Sequence, residues 1–405
     1  MRPIYFALPL LLTLAACKVS DGTPPDASAT QAPASPAALP SPVAQVSPAA
    51  DPLAAHDGAA NAQEVADSQP RPVMQAQVVL DRLGFTPGVV DGKPGLSTRN
   101  AVAGFQEANG LPVTGQLDAA TKTALAQYQS IPATRVVTIP ADFAPGPFVK
   151  IPKRPEEQAK LTALGYESLD EKLAERFHTT VATLKLLNPG GMPAGAPKLA
   201  AATASPSSAP TASPTPKPNA TDAPVSVFSA GQQIRVPNVG GDTIAAGAVS
   251  DAAWQTTLAM LGVGSEQPKA ARIVVSKSKG TLKAYDSADK LIAVYTATMG
   301  STHDPLPLGN WGITGVAHNP KFNYNPNLFW DAKAGSEKAT LPAGPNGPVG
   351  VVWIDLTKEH YGIHGTPHPE TIGRAESHGC VRLTNWDVAR LAQMVSARTK
   401  VRFEA

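Results

Sequence analysis

With 405 residues, and at about 100–200 residues per domain, the chain has room for roughly two to four domains. Proline takes 41 positions while aromatic residues make up 5% and charged residues 16%, which fits folded modules joined by Pro/Ala/Ser-rich linkers better than one large enzyme core. A net charge of +2, from 34 basic and 32 acidic residues, excludes the electrostatic footprint of a nucleic-acid binder. Two cysteines are too few for a disulfide framework or a Cys-rich zinc module.

Arg2 precedes an apolar run from Ile4 to Ala16. A short basic region, an apolar segment and small residues at its end read as an export signal over residues 1–16. Leu14-Ala15-Ala16-Cys17 resembles a bacterial lipobox. The resemblance implies cleavage before Cys17, acylation of that residue, and a lipid anchor in the bacterial envelope with the chain facing the periplasm. An ordinary secretory signal is the alternative. If Cys17 carries lipid, Cys380 has no partner left in the chain. An unpaired cysteine in an oxidising compartment is a reactive thiol or one end of an intermolecular bridge. Residues 17–70 contain no aromatic residue and are dominated by Ala, Pro and Ser; they cannot bury enough apolar surface to offset ordering entropy and are predicted to be a disordered tether. Residues 191–227 have the same character.

Residues 71–130 are predicted to form a small three-helix domain that folds alone. Met74, Val78, Leu80 and Leu83 give a helical stripe ending at Gly84. After the turn Asp91-Gly92-Lys93-Pro94-Gly95, Ser97 or Thr98 is placed to cap a second helix carrying Val102 and Phe105. Asp118 is placed to cap a third. Leu83-Gly84-Phe85, Val90-Asp91-Gly92, Ala101-Val102, Phe105-Gln106, Gly110-Leu111 and Thr114-Gly115 resemble the peptidoglycan-binding domain of bacterial wall hydrolases. That resemblance implies binding to the wall.

A second module is predicted at 148–239, interrupted by the 191–227 linker. Leu164-Gly165-Tyr166, Leu173-Ala174-Glu175-Arg176-Phe177, the Asn188-Pro189 stop and Gly231-Gln232-Gln233-Ile234 resemble a LysM glycan-binding unit. It lacks a clear first strand, and the linker splits its second helix from its last strand. A glycan binder and a non-binding spacer both fit.

From Arg272 the pattern changes to period two, with short strands around Ile273-Val274-Val275, Thr281–Tyr285 and Leu291–Tyr295. Strands without intervening helices argue a mostly antiparallel sheet assembly. Thr384 and Asp387 are placed for a capping box on one late helix. Six of the eight histidines lie in this region. His360, His364 and His368 are spaced as zinc ligands on a helix would be, but Gly362, Gly365, Pro367 and Pro369 forbid that helix. No metal site is predicted.

Tyr361-Gly362-Ile363-His364-Gly365-Thr366 followed by Ser377-His378-Gly379-Cys380-Val381-Arg382 resembles the L,D-transpeptidase (YkuD-like) catalytic domain, with the likeness running over 268–405. Asn346-Gly347-Pro348 departs from the family pattern, which more often has a second Asn before Pro. The resemblance implies a mostly-β sandwich with a C-terminal helix, here preceded by the all-α domain and the small α+β LysM-like unit. It implies a Cys380 nucleophile, no cofactor, and peptidoglycan stem peptides and glycan as partners. A free thiol near pKa 8.5 needs a nearby base or cation, and His364 is the candidate base. His378 is assigned to positioning rather than proton transfer. Gly379 and Cys380 offer N–H groups for an oxyanion. Arg382 is a candidate for a stem carboxylate, with a structural ion pair as the alternative. The predicted activity is attack on the third-residue carbonyl of a tetrapeptide stem, release of D-alanine and transfer to an amine. A non-catalytic wall anchor and a hydrolase using water are the rivals; acceptor and oligomeric state stay open.

Overall fold

The structure is a computed structural model that describes residues 65–196, 224–240, 244–245, 247–333 and 335–405. The export signal, Cys17, nearly all of the tether and the greater part of the 191–227 linker lie outside the described residues.

The first module holds α1 (Pro72–Arg82), α2 (Leu96–Ala108) and α3 (Ala119–Leu125). Asp118 caps α3 as its position predicts, accepting from Thr121 N at 2.9 Å. The start of α2 differs from the prediction: it follows extended Gly95 without a side-chain cap. Thr98 is instead buried, receiving Gln77 Nε2 at 3.0 Å. Gln77 Oε1 also accepts from Gly92 N, at 2.7 Å, and on α2 Gln106 Oε1 accepts from Thr114 N and Gly115 N at 2.9 and 2.8 Å. One buried glutamine per helix thus stitches the turn that follows it.

The second module has the order β1 (Thr134–Thr138), α4 (Pro155–Gln158), α5 (Leu169–Arg176), α6 (Val181–Leu187) and β2 (Gln233–Pro237). Strands β1 and β2 pair antiparallel from Thr134↔Pro237 to Thr138↔Gln233. The strand missing from the sequence reading therefore lies at 134–138, ahead of the 148 boundary. Asn188 explains the Asn-Pro stop: its amide donates to Leu184 O and Arg235 O, both at 2.8 Å, and ties the end of α6 to β2.

Helix α7 (Ala252–Leu261) leads into the large sheet, with Asp251 capping its start and left-handed Gly262 closing its end. The strands are β3 (Arg272–Ser276), β4 (Thr281–Tyr285), β5 (Leu291–Thr296), β6 (Thr298–Met299), β7 (Gly309–His318), β10 (Val352–Leu356), β11 (Gly362–His364), β12 (Val381–Arg382) and β13 (Lys400–Glu404). A separate hairpin pairs β8 (Phe322–Tyr324) with β9 (Ala339–Leu341). The two halves expected of a sandwich form one nine-stranded ladder, in the order β5-β4-β3-β13-β7-β10-β11-β12-β6. They are joined by β7, whose first residues pair with β13 and whose later ones pair with β10. Most pairs are antiparallel, but β3–β13 and β11–β12 are parallel. Helix α8 (Asn385–Met394) sends Trp386, Val388 and Leu391 into the shared core. Thr384 caps it through Asp387 N at 3.1 Å. The Asp387 carboxyl is fully buried, and burial pushes its pKa up to about 7.

The three modules share cores. Thr86 N donates to Val294 O and Val294 N to Gly84 O, at 2.9 and 3.0 Å, so the first module adds to the β5 edge of the sheet. Leu80, Phe85, Val102 and Phe105 pack with Leu291 and Val294 of β5 in one cluster. Gly104 has no room for a Cβ because Val294 fills that space. The helical module expected to fold alone therefore borrows part of its core from the sheet. At the junction, Asp81 of α1 accepts from both Nη atoms of Arg390 in α8, each at 3.0 Å. His178 Nδ1 lies 3.3 Å from the same carboxylate, its Nε2 lies 3.0 Å from Leu261 O, and its ring stacks on Trp386.

Removing one partner of a buried ion pair strands the other charge, so Arg390→Met should cost about 3–5 kcal/mol in urea unfolding. A loss of only a few tenths would mean the pair is not a junction. The raised pKa of Asp387 means the folded state favours its neutral form. Its contribution is complete below the ordinary carboxylate range and is lost as the pH rises through about 7. Asp387→Asn should therefore flatten the fall in unfolding midpoint between about pH 4 and about pH 7.

Candidate active site

The site is built where β11 and β12 run parallel, with Ile363 opposite Val381 and His364 opposite Arg382. Ile363 and Val381 go into the apolar core. Side-chain alternation then puts His364 and Arg382 on the opposite face, and Cys380 level with Gly362 on that same face.

His364 is buried, and its Nδ1 lies 2.7 Å from Gly365 O. A carbonyl can only accept, so Nδ1 carries the proton and Nε2 keeps its lone pair. The ring stacks on Trp353 with centroids 5.4 Å apart. Gly362 is required here, since a Cβ would sit 2.5 Å from the Trp353 ring. Burial first, and then the Arg382 cation, push the His364 pKa down to about 3. The imidazole is therefore neutral at rest.

The Cys380 sulfur accepts a backbone hydrogen bond from Gly362 and lies 3.8 Å from His360 O. His360 adopts the left-handed conformation, at φ 66°, that ends the loop before Tyr361. Burial raises the thiol pKa, while the Gly362 bond and Arg382 pull it down without cancelling the rise. At rest the thiol and the imidazole are both neutral and lie on one face of the sheet.

Gly379 has φ 92°, and a Cβ there would meet the Tyr361 ring at 2.5 Å. The chain bends at Gly379, so strand alternation, which puts residues two apart on one face, does not set the direction of His378. Ser377 holds the bend, donating to Cys380 O and accepting from Gly300 N, both at 2.6 Å. His378 Nε2 is 2.8 Å from Asp331 Oδ1, with the Phe329 and Trp330 rings close by. The sequence reading missed Asp331, which lies 47 residues away on the segment between β8 and β9. Arg382 Nη1 donates to Glu376 O at 3.3 Å, and the guanidinium senses the charges of Cys380 and Asp331.

A family model described as "L,D-transpeptidase catalytic domain" matches residues 270–402, and one described as "Putative peptidoglycan binding domain" matches residues 69–125. The chain is 36% identical over 130 residues to the "Putative L,D-transpeptidase YkuD" of Bacillus licheniformis, covering 32% of this chain and 63% of that protein. It is 31% identical over 135 residues to the "Putative L,D-transpeptidase YqjB" of Bacillus subtilis, covering 32% of this chain and 68% of that protein. Among solved structures, L,D-transpeptidase 3 from Mycobacterium tuberculosis with a faropenem-derived adduct aligns at 17% identity and a TM-score of 0.28, covering 33% of this chain and 59% of that one. The fold is that of a multidomain protein with a helical peptidoglycan-binding region and an L,D-transpeptidase catalytic domain. The chain belongs to the L,D-transpeptidase family.

The Arg382 cation lowers both pKa values in the pair. Alkylation of Cys380 by iodoacetamide should climb with pH above the ordinary thiol value of about 8.5. Arg382→Met should move that profile further up. A rate already level at neutral pH would contradict the neutral resting pair.

Proposed function

We propose that this chain is a peptidoglycan L,D-transpeptidase in which Cys380 is the nucleophile and His364 the base. The observation that carries the reading is the commitment of the His364 Nδ1 proton to Gly365 O. It leaves Nε2 as an acceptor on the face of the sheet that carries Cys380.

Cys380 Sγ attacks the carbonyl of the third stem residue as its proton passes to His364 Nε2. The N–H groups of Gly379 and Cys380 receive the developing oxyanion. Collapse of the tetrahedral intermediate breaks the amide bond. The proton on His364 goes to the departing amine, and D-alanine leaves. The acyl group stays on sulfur as a thioester. An amine from a second stem then attacks it, His364 takes the amine proton, and the thiolate leaves and is reprotonated. Arg382, beside the sulfur, is suited to the carboxylate of the departing residue. A neutral resting pair fits this sequence, because proton transfer then accompanies attack.

The helical module supplies affinity for the wall. Cys17 is the lipidated N-terminus of the mature chain, holding it at the envelope and facing the periplasm.

Incubation with tetrapeptide-rich sacculi should release D-alanine and give new cross-linked muropeptides by mass spectrometry. Cys380→Ala should abolish both products, and His364→Ala should lower the rate by about 10²–10⁴-fold. Wild-type protein that is folded yet gives neither product would leave the wall-anchor reading in place. In cells, Cys17→Ser should move the protein from the membrane to the soluble fraction; unchanged fractionation would remove the lipid anchor.

A further inference from the structure

The carbonyl that sets the His364 tautomer belongs to Gly365, where the chain leaves β11. Gly365 N is shared between Val349 O and Val352 O, at 3.1 and 3.3 Å. The Asn385 side chain is wedged against the same backbone: a Cβ on Gly365 or on Gly350 would collide with its Oδ1. That oxygen accepts from Val351 N at 3.3 Å, and Nδ2 donates to Pro345 O at 3.1 Å.

Nδ2 of Asn385 also donates to Glu175 Oε1, at 2.7 Å. Glu175 is a buried residue of α5 in the second module, 210 residues away in sequence. One turn earlier on α5, Glu171 accepts from Asn346 Nδ2 at 2.9 Å, and Asn346 N donates to Leu164 O at 3.0 Å. Two carboxylates at i and i+4 on one helix face therefore grip two side-chain amides of the catalytic domain. Burying an ionisable group costs more than burying an apolar side chain of similar size, and here burial pushes the Glu175 pKa up to about 7. Packing alone would be served by a leucine, whereas the Glu175 bond orients the Asn385 amide. With Nδ2 committed to Glu175 and Pro345, only Oδ1 is left to face Gly350 and Gly365.

We propose that α5 is a positioning element of the active site, with Glu175 acting through Asn385 to fix the Gly365 carbonyl and hence the His364 ring. The inference rests on His364 as the base. It gives the second module a role that binding to glycan does not require.

The test compares Glu175→Leu, Glu175→Asp and Glu175→Gln in the whole chain. Glu175→Gln keeps an acceptor for Asn385 and should retain most of the wild-type rate. Glu175→Leu lacks it, and Glu175→Asp is one methylene too short to reach. Either should lower kcat for D-alanine release by about 10- to 100-fold, the scale of a small misplacement of a reacting group, with KM changed less than about threefold. The second readout is the ¹⁵N spectrum of labelled histidine, in which His364→Gln assigns the signal. Wild type and Glu175→Gln should show His364 protonated at Nδ1, and the other two a mixture of tautomers. Wild-type kcat with an intact Nδ1–H signal in folded Glu175→Leu or Glu175→Asp would overturn the proposal. So would a loss that merely tracks the folded fraction. The spectrum reads the positioning even if the wild type forms no transpeptidation product, so failure of the functional reading and failure of this one are separable.

Discussion

A single buried charge organises this molecule. Asp81 is fully removed from water, and burial on its own would drive the proton back on. The Arg390 and His178 partners reverse that and hold its pKa well below the usual carboxylate range. The three groups come from three modules, and Asp81 and Arg390 cannot separate without leaving an unpaired charge in an apolar setting. Trp386 stacks on His178 and fixes the ring plane in the same step. The helical wall-binding region is consequently part of the body that carries the thiol, not a bead on a string. Rotations that a flexible linker would permit are closed to it.

The same economy of burial governs the chemistry. Cys380 and His364 are both desolvated, which pushes one pKa up and the other down and keeps the pair uncharged. A reactive thiolate open to oxidants would be exposed to sulfenic acid formation and mixed disulfides. A neutral thiol is less exposed to both. Arg382 has opposite effects on readiness, easing thiol ionisation while making the imidazole a weaker base.

What the sequence made legible was whatever is local. The His364-to-Cys380 spacing, the Asp118 and Thr384 caps, the period-two strands and the Asn188-Pro189 stop are each written within a few neighbouring residues. What it hid was long-range. Strand β1 pairs with β2 about a hundred residues later, and its five residues carry too little periodicity to stand out. Asp331, Asn385 and Glu175 are ordinary polar residues until folding brings them to His378, Gly365 and each other. Asn346, noticed only for the Gly347 that follows it, turns out to hold Glu171. Thr98 was misread because a helix start needs a cap only where the buried Gln77 has not already claimed the hydroxyl.

The backbone bonds between Gly84–Thr86 and Val294 have a bearing on solubility. An open sheet offers a row of unpaired N–H and C=O groups at each margin, which another chain can extend into an aggregate. At one end of this ladder stands β6, only two residues long and so a poor template. At the other stands β5, six residues long and rich in Leu, Ile and Val. The wall-binding module covers that edge at its middle. A catalytic segment released by proteolysis in the linkers would therefore lose more than affinity for its polymer: it would uncover a sticky strand, and self-association would compete with its chemistry.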